Sequence, residues 1–198
     1  MKKQELKQKT INLITGSKGG IGKTLIAKTI SEYFRFEKVR HVVIDTDAAN
    51  SSLIQCKFFK AIPFKLTNSD NLISSERLPE LITEYADAEN LVIDSGANTY
   101  LPWLLFIKDN LGREIIESLG FKIIAHVPVV PGPMYVECIK CLNELAKADP
   151  NLDIAVWLNN GFKTNSSPIS YYDFKNTDVV WDNQNIKLRI PAFIKLKS

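Results

Sequence analysis

Residues 15 to 24 read Thr-Gly-Ser-Lys-Gly-Gly-Ile-Gly-Lys-Thr and follow the apolar run Ile11-Asn12-Leu13-Ile14. A strand, a glycine-rich turn and a helix start in that order leave little freedom of fold. Backbone N–H groups of the turn and the positive end of the helix converge on one point, which makes an anion site. Gly19, Gly20 and Gly22 let the backbone approach phosphate oxygens with no Cβ in the way. Lys23 is placed to contact β- and γ-phosphates, and the Thr24 hydroxyl to hold Mg²⁺. Gly19, Gly20, Ile21, Gly22, Lys23, Thr24 and Leu25 thus form the expected nucleotide-binding run. The pattern G-x-x-x-x-G-K-[ST] is not met strictly, because Ser17 stands where its first glycine belongs. The chain has K-G-G-x-G-K-T instead, with an additional lysine, Lys18.

Apolar β-type runs alternate with helix-length segments along the 198 residues, which predicts one α/β domain. Strands are expected at Ile11–Thr15, His41–Asp45, Asn90–Asp94, Phe121–Val130, Leu152–Asn159 and Ile186–Ile190. Phe58–Leu66 is expected as an edge strand, because Pro63 cannot donate to a ladder. Helices are expected from Lys23 to about Phe36, from Glu76 to about Ala86, from Pro102 to Leu119 and from Pro133 to about Ala148. The resulting fold is a doubly wound, mostly parallel sheet with helices on both faces.

Two strands end in acids. Val42-Val43-Ile44-Asp45-Thr46-Asp47 puts two carboxylates at a carboxyl edge, the edge that faces the ligand crevice of an open α/β sheet. Such groups hold Mg²⁺ or orient an attacking water. Two aspartates capping a helix that begins near Ala48 would give the same residues. Leu91-Val92-Ile93-Asp94-Ser95-Gly96 is a Walker B type placement, with Asp94 bonding water of the Mg²⁺ shell. Ile154–Asn160 ends in two asparagines. An asparagine amide can pair with an adenine edge, and it also suits a turn.

The loop with Lys18 is similar to the deviant Walker A box of the ParA/MinD family of dimerising ATPases. The resemblance runs from Ile11 to about Pro191 as an ordered set of motifs. It implies ATP and Mg²⁺ as cofactors and an ATP-sandwiched homodimer in which Lys18 reaches the partner's nucleotide. It makes Lys18, Lys23 and Asp47 the catalytic residues, with Asp47 positioning water. Asp45 and Asp94 would support the metal beside Thr24, and Asn159 would meet the adenine. Ser95-Gly96-Ala97 resembles the family's second switch, where Gly96 supplies mobility. Many members have D-x-P there; this chain has no proline. The run Ile93-Asp94-Ser95-Gly96-Ala97-Asn98-Thr99, followed by Tyr100-Leu101-Pro102, is similar to small plasmid-encoded ATPases of conjugative transfer and plasmid stability, the TraL/StbB type. That likeness implies nonspecific DNA, or a plasmid-encoded DNA-binding or transfer protein, as partner. A nucleotide-binding adaptor with negligible hydrolysis is the alternative.

The remaining signals limit the choice. A formal charge of +3 does not by itself announce a nucleic-acid binder. No run approaches the roughly 18 apolar residues of a membrane span, and no apolar run precedes the first strand, so a cytoplasmic location is expected. Three cysteines fit a reducing compartment. Cys138-Ile139-Lys140-Cys141 matches a pair on which some relatives of the family carry an iron–sulfur cluster. Its place on the apolar side of a helix, with Leu142 and Leu145, favours buried thiols acting as small hydrophobes. His41 and His126 lie in strands and are read as core or edge residues. The prolines of His126–Pro133 are read as fixing a rigid loop.

Overall fold

The computed structural model describes residues 8–47, 52–70 and 72–161. Six strands form one sheet in the order β3-β2-β4-β1-β5-β6. They are β1 (Lys9–Ile14), β2 (Val42–Asp45), β3 (Ile62–Pro63), β4 (Asn90–Asp94), β5 (Phe121–Val129) and β6 (Asp153–Leu158). Among the described residues every strand pairing of the sheet is parallel, in keeping with the mostly parallel arrangement expected. The expected strand at Ile186–Ile190 lies outside the described residues.

Parallel strands need crossovers, and helices supply them on both faces. Helices α1 (Lys23–Phe36) and α2 (Ser52–Gln55) cover one face. Ile26, Ala27 and Ile30 of α1 and Leu53 of α2 pack there on Ile14, Val43 and Val92. The other face carries α3 (Leu78–Glu84), α4 (Tyr100–Lys108), α5 (Asn110–Ser118) and α6 (Tyr135–Ala148). Leu81, Trp103, Ile116 and Leu142 pack there on Leu13, Ile93 and Val127. The central strand β4 is buried along its whole length, which explains its uninterrupted apolar run.

Two expected elements are revised. Only Ile62–Pro63 of the Phe58–Leu66 stretch pairs, and only with β2. Lys57–Phe59 instead forms a 3₁₀ turn closed by Lys60 at φ 50°. The expected helix over Pro102–Leu119 is two helices. Asp109 takes extended angles (φ −76°, ψ 129°), ends α4 and caps α5, its Oδ1 accepting from the Leu111 N–H at 3.1 Å. The 3.6-residue periodicity continues across this break, so apolar spacing cannot reveal it.

Gly112 belongs to that corner. A Cβ on it would collide with the Phe106 carbonyl oxygen and lie 2.9 Å from the Phe106 ring. Its cost to helix propensity is therefore offset by close packing of α5 on α4. Gly112→Ala should lower the unfolding free energy by about 1–3 kcal/mol, the usual overpacking range, despite alanine's better propensity. Urea unfolding of the two proteins checks this, and a stabilised variant would refute the packing role.

Candidate nucleotide site

The chain leaves β1 toward α1 on one face, whereas the exit of β4 leads to α4 and α5 on the other. Exits that diverge from neighbouring strands leave a crevice at their carboxyl ends. The register fixes what meets there: Ile14 pairs with Asp94, and Asp94 with Asp45. Backbone bonds tie the exits together, with Ser95 N–H donating to Ile14 O at 3.1 Å and Thr46 N–H to Asp94 O at 2.9 Å.

The loop between β1 and α1 has the form an anion needs. Gly20 and Gly22 have φ of 73° and 100°, and Gly22 immediately precedes α1. No side chain caps the helix start and no acid lies in its first turn, so the first N–H groups and the positive helix end are unopposed. Ile21 is buried at 2 % exposure and its side chain anchors the loop in the core, so only its backbone is left to face a ligand. Gly19, Gly20, Lys18 and Leu25 are exposed.

Lys23 is 7 % exposed and its Nζ donates to Lys18 O at 2.7 Å, spanning the loop. Burial lowers its pKa, while the charges of Asp94 and Asp47 act to raise it. The Thr24 side chain lies close enough to Asp94 to favour its charged form. Burial is the main reason the Asp94 carboxyl is pushed up to about 7, with the Asp45 and Asp47 charges adding to it; Thr24 and Lys23 pull the other way. Burial also raises Asp45, whose Oδ1 accepts from the Asp47 N–H at 2.9 Å. Thr24, Asp45 and Asp94, the expected metal set, are therefore gathered on neighbouring elements.

The donor set suits Mg²⁺. Thr15 Oγ1, Asp45 Oδ2 and Ser95 Oγ are buried polar atoms with no hydrogen-bond partner among the described residues, and all three stand at the crevice. Buried polar atoms of native proteins usually find partners, so a cluster of three marks a place for bound groups. Among the described residues no group of three or more His, Cys, Asp and Glu side chains forms a metal cage. Mg²⁺ commonly takes one or two protein oxygens and completes its shell with phosphate and water.

Gly96 has ordinary angles (φ −65°, ψ 158°), so its use is space. A Cβ there would lie 3.0 Å from the Asp47 carboxylate and 2.5 Å from Asn98 Oδ1. The two acidic exits thus meet at this glycine. Close approach is thus a use of Gly96 beside the mobility expected of it.

Asn159 sits over the loop from the exit of β6. Its Nδ2 donates to Ile21 O at 3.0 Å and stands 2.5 Å from where a Gly22 Cβ would be. In this arrangement the amide anchors the loop, a second reason for glycine at position 22. His126 is a core residue, as expected. Trp157 Nε1 donates to its Nδ1 at 3.0 Å, and its Nε2 lies 3.1 Å from Asn12 Oδ1. Cys138 and Cys141 are each 2 % exposed on the sheet-facing side of α6, in keeping with the small-hydrophobe reading. Nothing in the sequence singles out Thr15, whose buried hydroxyl only the tertiary arrangement reveals.

A parallel sheet wound on both faces, with a lysine-bearing glycine loop between its first strand and first helix, defines a P-loop NTPase fold. The chain is similar to two proteins named TraL from Escherichia coli, each 27% identical over 151 and 152 residues respectively. The match covers 75% of this chain and spans 62% of the length of each relative. No protein-family model matches. Among solved structures, the signal recognition particle 54 kDa protein from Aeropyrum pernix K1 in complex with GDP aligns at TM-score 0.47 and 17% identity, over 80% of this chain and 37% of that one. FlhF complexed with GMPPNP/Mg(2+) aligns at TM-score 0.42 and 12% identity, over 80% and 59%. No helix among the described residues is long and apolar enough to cross a membrane.

Proposed function

We propose that this chain is a Mg²⁺- and ATP-dependent switch that dimerises around nucleotide, hydrolyses ATP slowly and serves conjugative transfer or maintenance of a mobile element. The observation that carries the reading is the pair of loop lysines. Lys23 is buried and spans its own loop, while Lys18, five residues earlier, is exposed at the rim. A second cation at the mouth of a phosphate site is suited to a nucleotide held by another subunit. Asp47 lies against Gly96, where a carboxylate can orient water toward a γ-phosphate. The likeness to TraL supports a transfer-related setting. ATP as the nucleotide, the cytoplasm as location and DNA or a plasmid-encoded protein as partner belong to the same proposal.

When bound, Mg²⁺ would supply charge neutralisation between the phosphates, and Thr24 and Asp94 would hold it. Lys23 would bind the phosphates, and the uncapped N–H groups of α1 would orient them.

The test is nucleotide-dependent self-association. Lys18→Ala should bind ATP within about fivefold of the parent, since a rim cation contributes about 0.2–1 kcal/mol in solvent. It should nevertheless lose ATP-induced dimers in sedimentation and the turnover coupled to them. Dimers and turnover equal to the parent's would sink the sandwich. Duplex DNA binding with ATP, with ADP and without nucleotide, at two salt concentrations, then identifies the partner. Salt-sensitive binding only with ATP indicates DNA; none in any state indicates a protein.

A second reading is favoured by the second switch. Ser95-Gly96 has no proline where many members of the ParA/MinD family carry one. A nucleotide-binding adaptor with negligible hydrolysis fits that departure. Turnover indistinguishable from a Lys23→Ala control, with partners present, would favour it.

A further inference from the structure

Two short segments at the far end of α1 share one pattern. Arg35-Phe36-Glu37-Lys38 closes the helix, and Lys57-Phe58-Phe59-Lys60 makes the 3₁₀ turn before β3. They touch each other. The Arg35 guanidinium lies over the Phe58 ring, 3.8 Å from its centroid, and its Nη1 donates to Phe58 O at 2.9 Å. Phe59 meets Phe58 edge-on at 5.1 Å and packs, with Phe34, on the core cluster beneath α1. Phe58 is nevertheless 53 % exposed, and Phe36 80 %.

The formal charge of +3 for the whole chain conceals this corner. Arg35, Lys38, Lys57 and Lys60 are all exposed, and Glu37 is the one acid in the two segments. None of the four cations has an acidic partner among the described residues. Lys38 and Lys60 are also the two non-glycine residues with positive φ among the described residues, at 57° and 50°. At Lys38 the chain reverses, with Val39 N–H donating to Phe34 O at 2.7 Å and Lys38 N–H to Arg35 O at 3.1 Å. That reversal favours glycine at the position of Lys38. Glycine would relieve both places, yet each holds a lysine in strained backbone, as binding sites commonly do. The helix dipole calls for cations at this end of α1, but not for exposed rings among them.

We infer that this corner is a docking surface for single-stranded DNA. Cations without carboxylate partners match phosphates, and bases can stack on Phe36 and on the outer face of the Arg35 guanidinium. Duplex DNA hides its base faces and would engage the cations alone. A membrane suits the corner less, because Phe58 cannot enter hydrocarbon without carrying the Arg35 charge with it. An acidic peptide would leave the rings unused. The choice of DNA over RNA rests on the proposed role with a mobile element; the corner itself specifies a single strand. Helix α1 puts about 20 Å between this surface and the phosphate-binding loop, so the contact needs no nucleotide.

The test is fluorescence anisotropy of the nucleotide-free full chain with a labelled deoxythymidine oligomer of about 15 nucleotides. Phe36→Ala should weaken binding about 5- to 150-fold, the loss of one stacked base, and Phe36→Trp should restore it. Arg35→Lys keeps the charge but loses the plane, so it should weaken binding and leave the salt dependence unchanged. The double variant Lys38→Gly, Lys60→Gly relaxes the backbone and so should fold. It should flatten the slope of log K against log salt by about 1.4, the share of two phosphates. A duplex of equal length should bind about tenfold more weakly than the single strand. No binding by the parent, or equal binding by the parent and these variants, would overturn the proposal. A duplex bound as tightly, or a uridine oligomer bound more tightly, would overturn it too. So would capture of the parent, and not of the variants, by vesicles of phosphatidylserine and phosphatidylcholine, or displacement of the oligomer by polyglutamate at equal charge. Because the assay contains no nucleotide, its failure leaves the nucleotide-switch reading standing. A parent that binds the oligomer but no ATP would overturn the proposed function and support this surface.

Discussion

Replacing Lys23 by alanine is expected to weaken ATP and ADP binding by about 10- to 100-fold. A charged hydrogen bond contributes about 1.5–3 kcal/mol, and an ammonium between two phosphates makes at least one such bond in a desolvated site. Lys23 is 7 % exposed, so water cannot replace the lost charge as it would at a rim. The nucleotide-free protein should remain folded, because the side chain holds only the Lys18 carbonyl of its own loop. Lys23→Arg should not rescue binding, since a planar fork cannot take the place of a compact ammonium in a site this closed. Fluorescence titration with each nucleotide decides the matter, with circular dichroism to confirm the fold. Affinity within threefold of the parent would show that the loop binds nothing through this lysine. The contrast with Lys18→Ala is the sharper result, because two lysines of one loop should fail in different assays.

Asp94→Asn should stabilise the nucleotide-free, metal-free protein at pH 8 while removing its response to Mg²⁺. The sign follows from where the proton resides. The carboxyl has an ordinary value of 3.8 in the unfolded chain and is pushed up to about 7 in the fold, mainly by burial. Between those values the folded state keeps a proton that the unfolded state has released. Stability therefore falls as pH rises through about 4 to 7, and the full penalty is present above 7. Three pKa units at about 1.36 kcal/mol each set an upper bound near ~4 kcal/mol, and relaxation makes roughly 2–3 kcal/mol the realistic size. Asparagine resembles the protonated carboxyl in shape, so it should flatten this part of the profile. With Mg²⁺ and nucleotide the order should reverse, because a cation favours the ionised form and stabilises only the parent. Thermal melts from pH 5 to 8, with and without Mg²⁺–nucleotide, check both halves. A parent more stable than the variant at pH 8 without metal would refute the buried-charge account.

The two variants probe one compromise. Lys23, Asp45 and Asp94 are all buried within a shared crevice, and burial disfavours the charged form of each. A core of this size could have filled that space with apolar atoms. Its unpaired hydroxyls at Thr15 and Ser95 point the same way. Such a site is poorly satisfied alone and well matched to a phosphate-bound cation.

Much of this was legible in residue order. The loop at residues 15–24 required a strand before it and a helix after it, because only that geometry aims backbone N–H groups at one anion. The apolar runs ending in Asp45 and Asp94 could only be strands with acids at the carboxyl edge, since parallel strands buried on both faces tolerate charge at their ends alone. What the sequence could not contain is who meets whom across the fold. The break at Asp109 is invisible to periodicity because the apolar spacing continues through it. That Gly96 also lets Asp47 approach closely is invisible until the strands are paired. Asn159 lies 138 residues from its partner Ile21. Local sequence sets backbone geometry and the approximate ends of elements. Contacts between distant segments are set by how the sheet twists and its helices pack, and there the tertiary structure alone decided that Asn159 holds the loop.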